Sequence, residues 1–188
     1  MSPAWPEGFR YEAELISEAE EKMFVKYFEK LPFKPFEFHG YLGNRRIVSF
    51  GHRYDYAGRA LRSAEPMPDF LEPLKEIVSR FSGILISSWQ QAMVTGYATG
   101  AGIGWHRDKP MFADVAALSF SAPCALRLRR KNGTAWTRRS VDIAPRSGYL
   151  LQGPVRDDWE HSILPMKALR YSVTFRTFRS NSGLAVGG

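Results

Sequence analysis

One cysteine in 188 residues excludes an intramolecular disulfide framework and fits a reducing compartment. Cys124 lies in an apolar stretch and reads as core filler, with the cytoplasm as the expected location. No run approaches the roughly 18 apolar residues that a membrane-spanning helix needs, so no membrane association is expected. The opening Met1-Ser2-Pro3-Ala4-Trp5-Pro6 has neither the basic nor the apolar region of a secretory signal. Internal repeats and low-complexity blocks are missing too. Acidic residues are outnumbered, 19 against 26 basic ones, which leaves a net charge of +7 and a pI near 9.7. Such a balance raises the local concentration of polyanions such as nucleic acid, and says nothing about fold. What is present is ordinary for a globular protein: 44% hydrophobic and 24% charged residues exclude disorder. The length suits one domain, expected as a monomer, with room for a real core.

Ser17-Glu18-Ala19-Glu20 has the form of a capping box, and Met23, Phe24, Tyr27, Phe28 and Leu31 form an apolar stripe behind it. The spacing predicts a helix ended by Pro32. A second helix is predicted from near Asp69, burying Leu71, Leu74, Ile77, Val78 and Phe81. Between them lie a strand from Arg45 to Phe50 and a loop carrying Tyr54 and Tyr56. From Gly83 onward the pattern is one of short strands: 83–88, 92–98, 103–108, 114–120, 124–131, 134–141, 148–152 and 170–178. Asn132-Gly133 between alternating segments is a hairpin signal. Many closely spaced strands, with helices gathered near the front, predict a mostly β jelly roll or barrel flanked by helices. The tail 181–188 is polar and glycine-rich and is expected to be flexible.

Chemistry concentrates in the second half. His106-Arg107-Asp108 is followed by a later histidine, His161, and then by Arg170-Tyr171-Ser172-Val173-Thr174-Phe175-Arg176. Residues i and i+2 of a strand share a face, so His106 and Asp108 can converge on one ion while Arg107 points away. Two histidines and a carboxylate on one side of a metal leave the other positions open, the arrangement of iron(II) oxygenases. In the last segment the alternation puts Arg170, Ser172, Thr174 and Arg176 on one face and Tyr171, Val173 and Phe175 on the packed one. The two arginines stand roughly 20 Å apart along the strand at most. That suits gripping opposite ends of a dicarboxylate, because the guanidinium fork binds carboxylates bidentately and keeps its charge. His-x-Asp alone is a weak motif, and a lone His161 would more often be structural. The joint order carries the reading.

These residues resemble the AlkB family of iron(II)- and 2-oxoglutarate-dependent nucleic-acid dealkylases. The likeness runs from about Phe38 to Phe178 and is sharpest at Arg170–Arg176, which is similar to that family's two arginines around an N/S-x-T-F core. His106-Arg107-Asp108-Lys109 with Val115–Phe120 resembles its metal-binding strand and the one after it. Arg45-Arg46, Phe50-Gly51 and Tyr54-Asp55-Tyr56 resemble its substrate lid. The resemblance implies a double-stranded β-helix: a lid and supporting helix over about 38–80, and a jelly-roll core over about 83–178. It implies iron(II) held by His106, Asp108 and His161, and 2-oxoglutarate bound by Tyr97 and Arg170 at its distal carboxylate, with Arg176 near the C1 end. With O₂, such an enzyme hydroxylates an N-alkyl carbon of a damaged DNA or RNA base, and the adduct collapses to an aldehyde and the repaired base. A base in a duplex would have to be flipped out, with Tyr54 and Tyr56 as stacking candidates and His106 on its other side. Arg45, Arg46, Arg53, Arg127, Arg129 and Arg138 could contact phosphates, although a solvated role suits any one of them better. Two positions depart from the family: Thr95 stands where Asn is frequent, and Pro110 where some members carry an acidic residue that meets the base. Two other readings compete. One is the same iron chemistry on a protein side chain or small metabolite. The other is an inactive scaffold that only binds nucleic acid.

Overall fold

The protein is described by a computed structural model covering residues 5–38, 41–55, 58 and 60–180. Tyr56 and the tail 181–188 lie outside the described residues. Thirteen strands run in chain order: β1 (Phe9–Glu12), β2 (Lys34–Phe38), β3 (Tyr41–Phe50), β4 (His52–Asp55), β5 (Ala60–Ser63), β6 (Gln91–Tyr97), β7 (Ile103–His106), β8 (Phe112–Phe120), β9 (Cys124–Asn132), β10 (Ala135–Ile143), β11 (Gly148–Leu151), β12 (Glu160–Ile163) and β13 (Arg170–Phe178). Helices α1 (Glu18–Phe28) and α2 (Glu72–Ser82) precede most of the sheet, and the short α3 (Gly153–Asp157) interrupts it late. The strands form a seven-stranded sheet in the order β1-β11-β8-β13-β6-β3-β2 and a four-stranded sheet in the order β10-β9-β12-β7. A separate hairpin pairs β4 with β5.

The alternation of β13 decides how these layers pack. Tyr171, Val173 and Phe175 join Ala116, Leu118 and Phe120 of β8 on the outer face of the large sheet, where α1 and α2 cover them with Phe24, Phe28, Leu74, Val78 and Phe81. Capping by Ser17 and Glu20 starts α1 as the sequence predicts: each side chain satisfies the other's backbone N–H. The inner face of the large sheet meets the small one across a second core of Tyr97, Val115, Tyr149, Leu126, Leu128, Val141 and Ile163. Cys124 is buried there. The large sheet is therefore buried on both faces, and one edge of the space between the sheets is left to polar residues.

Four expectations are corrected. Residues 83–88 do not form a strand: Gly83 caps α2 in the left-handed conformation and Ile86–Ser88 is a 3₁₀ turn. The turn carries Trp89 into the core, and its indole donates to Ser79 Oγ at 3.0 Å. The strand expected to reach Asp108 stops at His106. Tyr54 belongs to β4 of a hairpin rather than to a loop. The strand expected over 45–50 begins earlier, at Tyr41.

Candidate metal centre

Two edge elements of the small sheet supply the imidazoles. In the antiparallel pairing of β12 with β7, His161 lies directly opposite His106, while the next pair is Ile163 with Ile103. Two residues on β12 thus span three on β7, a bulge that turns both His106 and Ile103 toward the interior and Trp105 away from it. The Nδ1 of His106 lies 2.9 Å from the carbonyl oxygen of Gly104, within the bulge. That contact suits an Nδ1–H tautomer and leaves Nε2 as the lone-pair donor.

Asp108 reaches the same point from the loop beyond β7. Its Oδ1 is 3.7 Å from Nε2 of His106 and 3.6 Å from Nε2 of His161, and its side chain is 6% exposed. One donor atom from each of the three residues lies within 4.8 Å of the others. The two imidazole rings are 4.2 Å apart. Arg176 fixes the carboxylate: its Nε donates to Asp108 Oδ2 at 2.6 Å and its Nη1 to Gln91 Oε1 at 3.0 Å. Burial works against the Asp108 charge, but Arg176, His161 and His106, with the hydrogen bond from Arg176, outweigh it and hold the carboxyl well below the usual range. Burial, then the neighbouring His106, pushes the His161 imidazole down to about 3, so it is a neutral donor at neutral pH. The neutral His161 imidazole and the ionised Asp108 carboxylate are in the protonation states that a divalent metal requires.

Arg170 occupies the other end of β13 and is fully buried. Its Nε donates to Ser119 Oγ at 3.0 Å, and its guanidinium carbon lies 5.1 Å from the ring centre of Tyr97, its register partner on β6. Both terminal nitrogens of Arg170 lack a hydrogen-bond partner among the described residues. A buried, unpartnered guanidinium costs several kcal/mol unless an anion meets it. A carboxylate from a bound dicarboxylic acid fits that need, so the donor set and the orphaned nitrogens together suit an iron(II)–oxoglutarate pair.

Sequence reasoning missed several supporting residues. Gln91 is the register partner of Arg176 and carries no motif. Ser119 is the polar break in the apolar run Val115–Phe120, a signal that could have been read. Arg156 of α3 donates to the carbonyls of Lys109 and Phe112 at 2.7 and 2.8 Å, bracing the loop after Asp108. Thr95 is buried opposite Ser172, and the carbonyl of Pro110 accepts from Arg179. Tyr54 meets Lys109, whose ammonium is 4.7 Å from the ring centre, so the β4–β5 hairpin leans over the loop that carries Asp108. Arg129 is engaged by Glu160 at 2.6 Å and Arg127 by Ser162 at 3.0 Å, both structural partners rather than open contacts.

Residues 12–176 match the family model described as the 2OG-Fe(II) oxygenase superfamily. Among curated proteins the chain is 27% identical, over 146 residues, to the alkylated DNA repair protein ALKBH8 homolog of Arabidopsis thaliana. That match covers 65% of this chain and 42% of the relative, so the chain spans less than half of that protein's length. Among solved structures, OsALKBH1 superposes with a TM-score of 0.71 at 14% identity, covering 93% of this chain and 99% of that one. A Pseudomonas putida prolyl-4-hydroxylase gives 0.63 at 13% identity, covering 92% and 93%. A Trichoplax adhaerens prolyl hydroxylase, in complex with a hypoxia inducible factor peptide fragment, gives 0.62 at 15%, covering 91% and 83%. At such identities the structural likenesses establish the jelly-roll fold alone. The resemblance to AlkB proteins read from the sequence is borne out by the family model and the Arabidopsis relative.

Proposed function

The chain belongs to the 2OG-Fe(II) oxygenase superfamily and is a dioxygenase using iron(II), 2-oxoglutarate and O₂, and from that premise we propose that it removes N-alkyl groups from bases of alkylated nucleic acid. The product would be the repaired base, an aldehyde (formaldehyde from a methyl group), succinate and CO₂, a direct reversal of alkylation damage. The observation that supports the chemistry is the convergence of His106, Asp108 and His161 at one end of β13 with an unpartnered Arg170 at the other. The curated relative named for alkylated DNA repair supports the choice of substrate class.

When bound, iron(II) with oxoglutarate and O₂ supplies the oxidant: one oxygen atom goes to succinate and one to the N-alkyl carbon. The rest of the work falls to the chain. His106, Asp108 and His161 hold the metal, and Arg176 keeps the Asp108 carboxylate ionised and aimed. Arg170, steadied by Ser119 and lying beside Tyr97, would bind the distal carboxylate of oxoglutarate, and Arg176 would serve its C1 carboxylate. The apolar walls from Val115, Leu128 and Ile163 exclude water from the reacting centre. Tyr54 would offer a stacking surface for a flipped base, with the half-exposed His106 on the base's other side. The N-hydroxyalkyl product releases its aldehyde without an obligatory protein acid, so positioning is the protein's main contribution. We further propose that this domain acts as a monomer, and its single, buried cysteine fits a reducing compartment such as the cytoplasm.

The competing reading keeps the chemistry and replaces the base with a protein side chain or small metabolite. Aldehyde release from methylated single-stranded oligonucleotides, given iron(II), oxoglutarate and O₂, separates the two. Release that requires oxoglutarate and disappears in His106→Ala supports dealkylation. Succinate formation without aldehyde transfers the search to other substrates. An inactive scaffold would show no iron(II)–oxoglutarate charge-transfer band in an anaerobic titration.

A further inference from the structure

The net charge of this protein is concentrated in one place. Residues 124–143, the β9–β10 ribbon, carry six basic residues (Arg127, Arg129, Arg130, Lys131, Arg138 and Arg139) and one acidic residue, a net +5 against +7 for the whole chain. Arg130, Lys131 and Arg138 are exposed. Helices of like composition would scatter such charges, but a ribbon in register cannot: Arg138 lies opposite Arg129, and Trp136 opposite Lys131.

Aromatic rings are interleaved with the cations. The Arg129 guanidinium sits 4.4 Å from the Trp105 ring centre and 4.2 Å from that of Trp136, and Glu160 anchors it from the side. Arg127 lies 4.8 Å from Trp105 as well. Both tryptophans are half-buried on the outer face of the small sheet, Trp105 on β7 and Trp136 on β10 at its two edges, with Arg129 of β9 between them. Beyond β10, at the seam with β1, a cavity of about 480 Å³ is lined by Trp5, Tyr11, Arg138 and Arg139. Trp5 is among the most exposed of the large apolar side chains.

These features form a line. Trp105 precedes the ligand His106 on β7, at one edge of the small sheet. Arg127 and Arg129 of β9 come next, then Lys131, Trp136 and Arg138, and Trp5 ends the series beyond β10. Four strands span only about 14 Å between outer members, so the whole track lies close to the metal centre. We propose that the outer face of the β10-β9-β12-β7 sheet is the track that holds the phosphodiester backbone of a single-stranded nucleic acid next to the base being processed. This inference rests on the nucleic-acid reading above. A positively charged surface with stacking rings is what unpaired bases use, since each base offers a π-face and each nucleotide a phosphate. An acidic peptide would need the cations and not the rings. A duplex hides its base faces and would leave the tryptophans idle.

The test is binding of a short fluorescein-labelled single strand, unmodified, to the full chain, read by polarisation over a range of salt. Arg127→Gln/Lys131→Gln/Arg138→Gln removes three charges from this face, outside the metal centre. Lys22→Gln/Lys26→Gln/Lys30→Gln removes the same charge from the exposed side of α1 and the turn that follows it. The ribbon variant is expected to bind at least tenfold more weakly, with the slope of log affinity against log salt reduced by about 2. The α1 variant should stay within about twofold of the parent, and substrate-free conversion of oxoglutarate to succinate should be equal in all three. Equal losses in both triple variants, unchanged binding in the ribbon variant, or a duplex held as tightly as the single strand would each overturn the track. In those cases aldehyde release by the parent enzyme would still stand. If the parent binds no strand and releases no aldehyde while still consuming oxoglutarate, the nucleic-acid reading fails, and the track with it.

Discussion

Arg170 carries opposite consequences for stability and function. Its two terminal nitrogens are buried without partners among the described residues, so the protein without oxoglutarate bears an uncompensated cation. Arg170→Met keeps the volume and removes the charge. The metal-free variant is expected to melt a few degrees higher than the parent, because the relieved burial penalty exceeds the roughly 1 kcal/mol lost with the bond to Ser119. Its oxoglutarate affinity, read by titration, should fall at least a hundredfold. A lower melting point would show the guanidinium already satisfied. Arg176 makes a different case, since its partner Asp108 is a proposed ligand. Arg176→Gln should weaken iron(II) binding by about 10- to 100-fold, the usual effect of removing a ligand's supporting partner. Acid should act on the same cluster. His161 is held down to about 3 in the folded, metal-free protein against an ordinary value of 6.5, so below 6.5 the unfolded chain takes up a proton that the folded one refuses. Stability is therefore complete above about 6.5 and falls as the pH drops toward 3, with Asp108 adding to the loss at the acid end. Chemical denaturation of metal-free protein across this range should show the decline, and His161→Asn should flatten it.

At the level of elements, legibility followed pattern length. β13 was readable because Arg170–Arg176, seven of its nine residues, alternate strictly between two arginines. Helix α1 was readable from its capping box and stripe, and α2 from its stripe alone. β12 was not: Glu160–Ile163 is four residues long, follows a helical turn, and gains its strand character only by lying between β9 and β7. The convergence of His106 and Asp108 was expected from alternation along one strand, and it arises otherwise. A bulge turns His106 inward, and the loop braced by Arg156 delivers Asp108. Ile84-Leu85-Ile86 imitated a strand because β-branched runs usually are strands, whereas here the chain must turn to seat Trp89. One joint between elements is open to test. Gly51 links β3 to the β4–β5 hairpin at φ 74°, and an added Cβ would lie 2.4 Å from the carbonyl oxygen of Gln90. Gly51→Ala should cost about 1–3 kcal/mol in denaturation. It should also raise KM for the oligonucleotide more than KM for oxoglutarate, since the hairpin it displaces leans over the site's mouth and not over Arg170.

The whole molecule keeps two cores on the two faces of one sheet, and only the inner one touches the metal centre. Phe28 is fully buried between Phe120 and Tyr171 on the outer side. Leu128 is equally buried on the inner side, opposite His161 in the register of β9 and β12. Phe28→Ala is expected to cost about 3–5 kcal/mol and Leu128→Ala about 2–5 kcal/mol. Only Leu128→Ala should also loosen iron(II), by shifting the strand that presents His161. Parallel loss of iron affinity in both would show the cores to be one mechanical unit. This two-sided burial was foreseeable from the β13 alternation, while the concentration of charge on one ribbon emerged only once β9 and β10 were paired in register.

In that arrangement β7 has only four residues, as few as its neighbour β12. It lies at the end of the small sheet, joined to the rest through β12 alone and across a bulge. Such a strand, left to its backbone bonds, frays on a millisecond-to-second scale. Yet His106 on β7 and His161 on β12 are proposed to grip the same ion, so metal loading would act as a clasp on the sheet's loose hem. Amide exchange at Ile103–His106 should slow on adding iron(II) while exchange in β13 stays as it was, which makes this short strand a reporter of metal occupancy that needs no turnover.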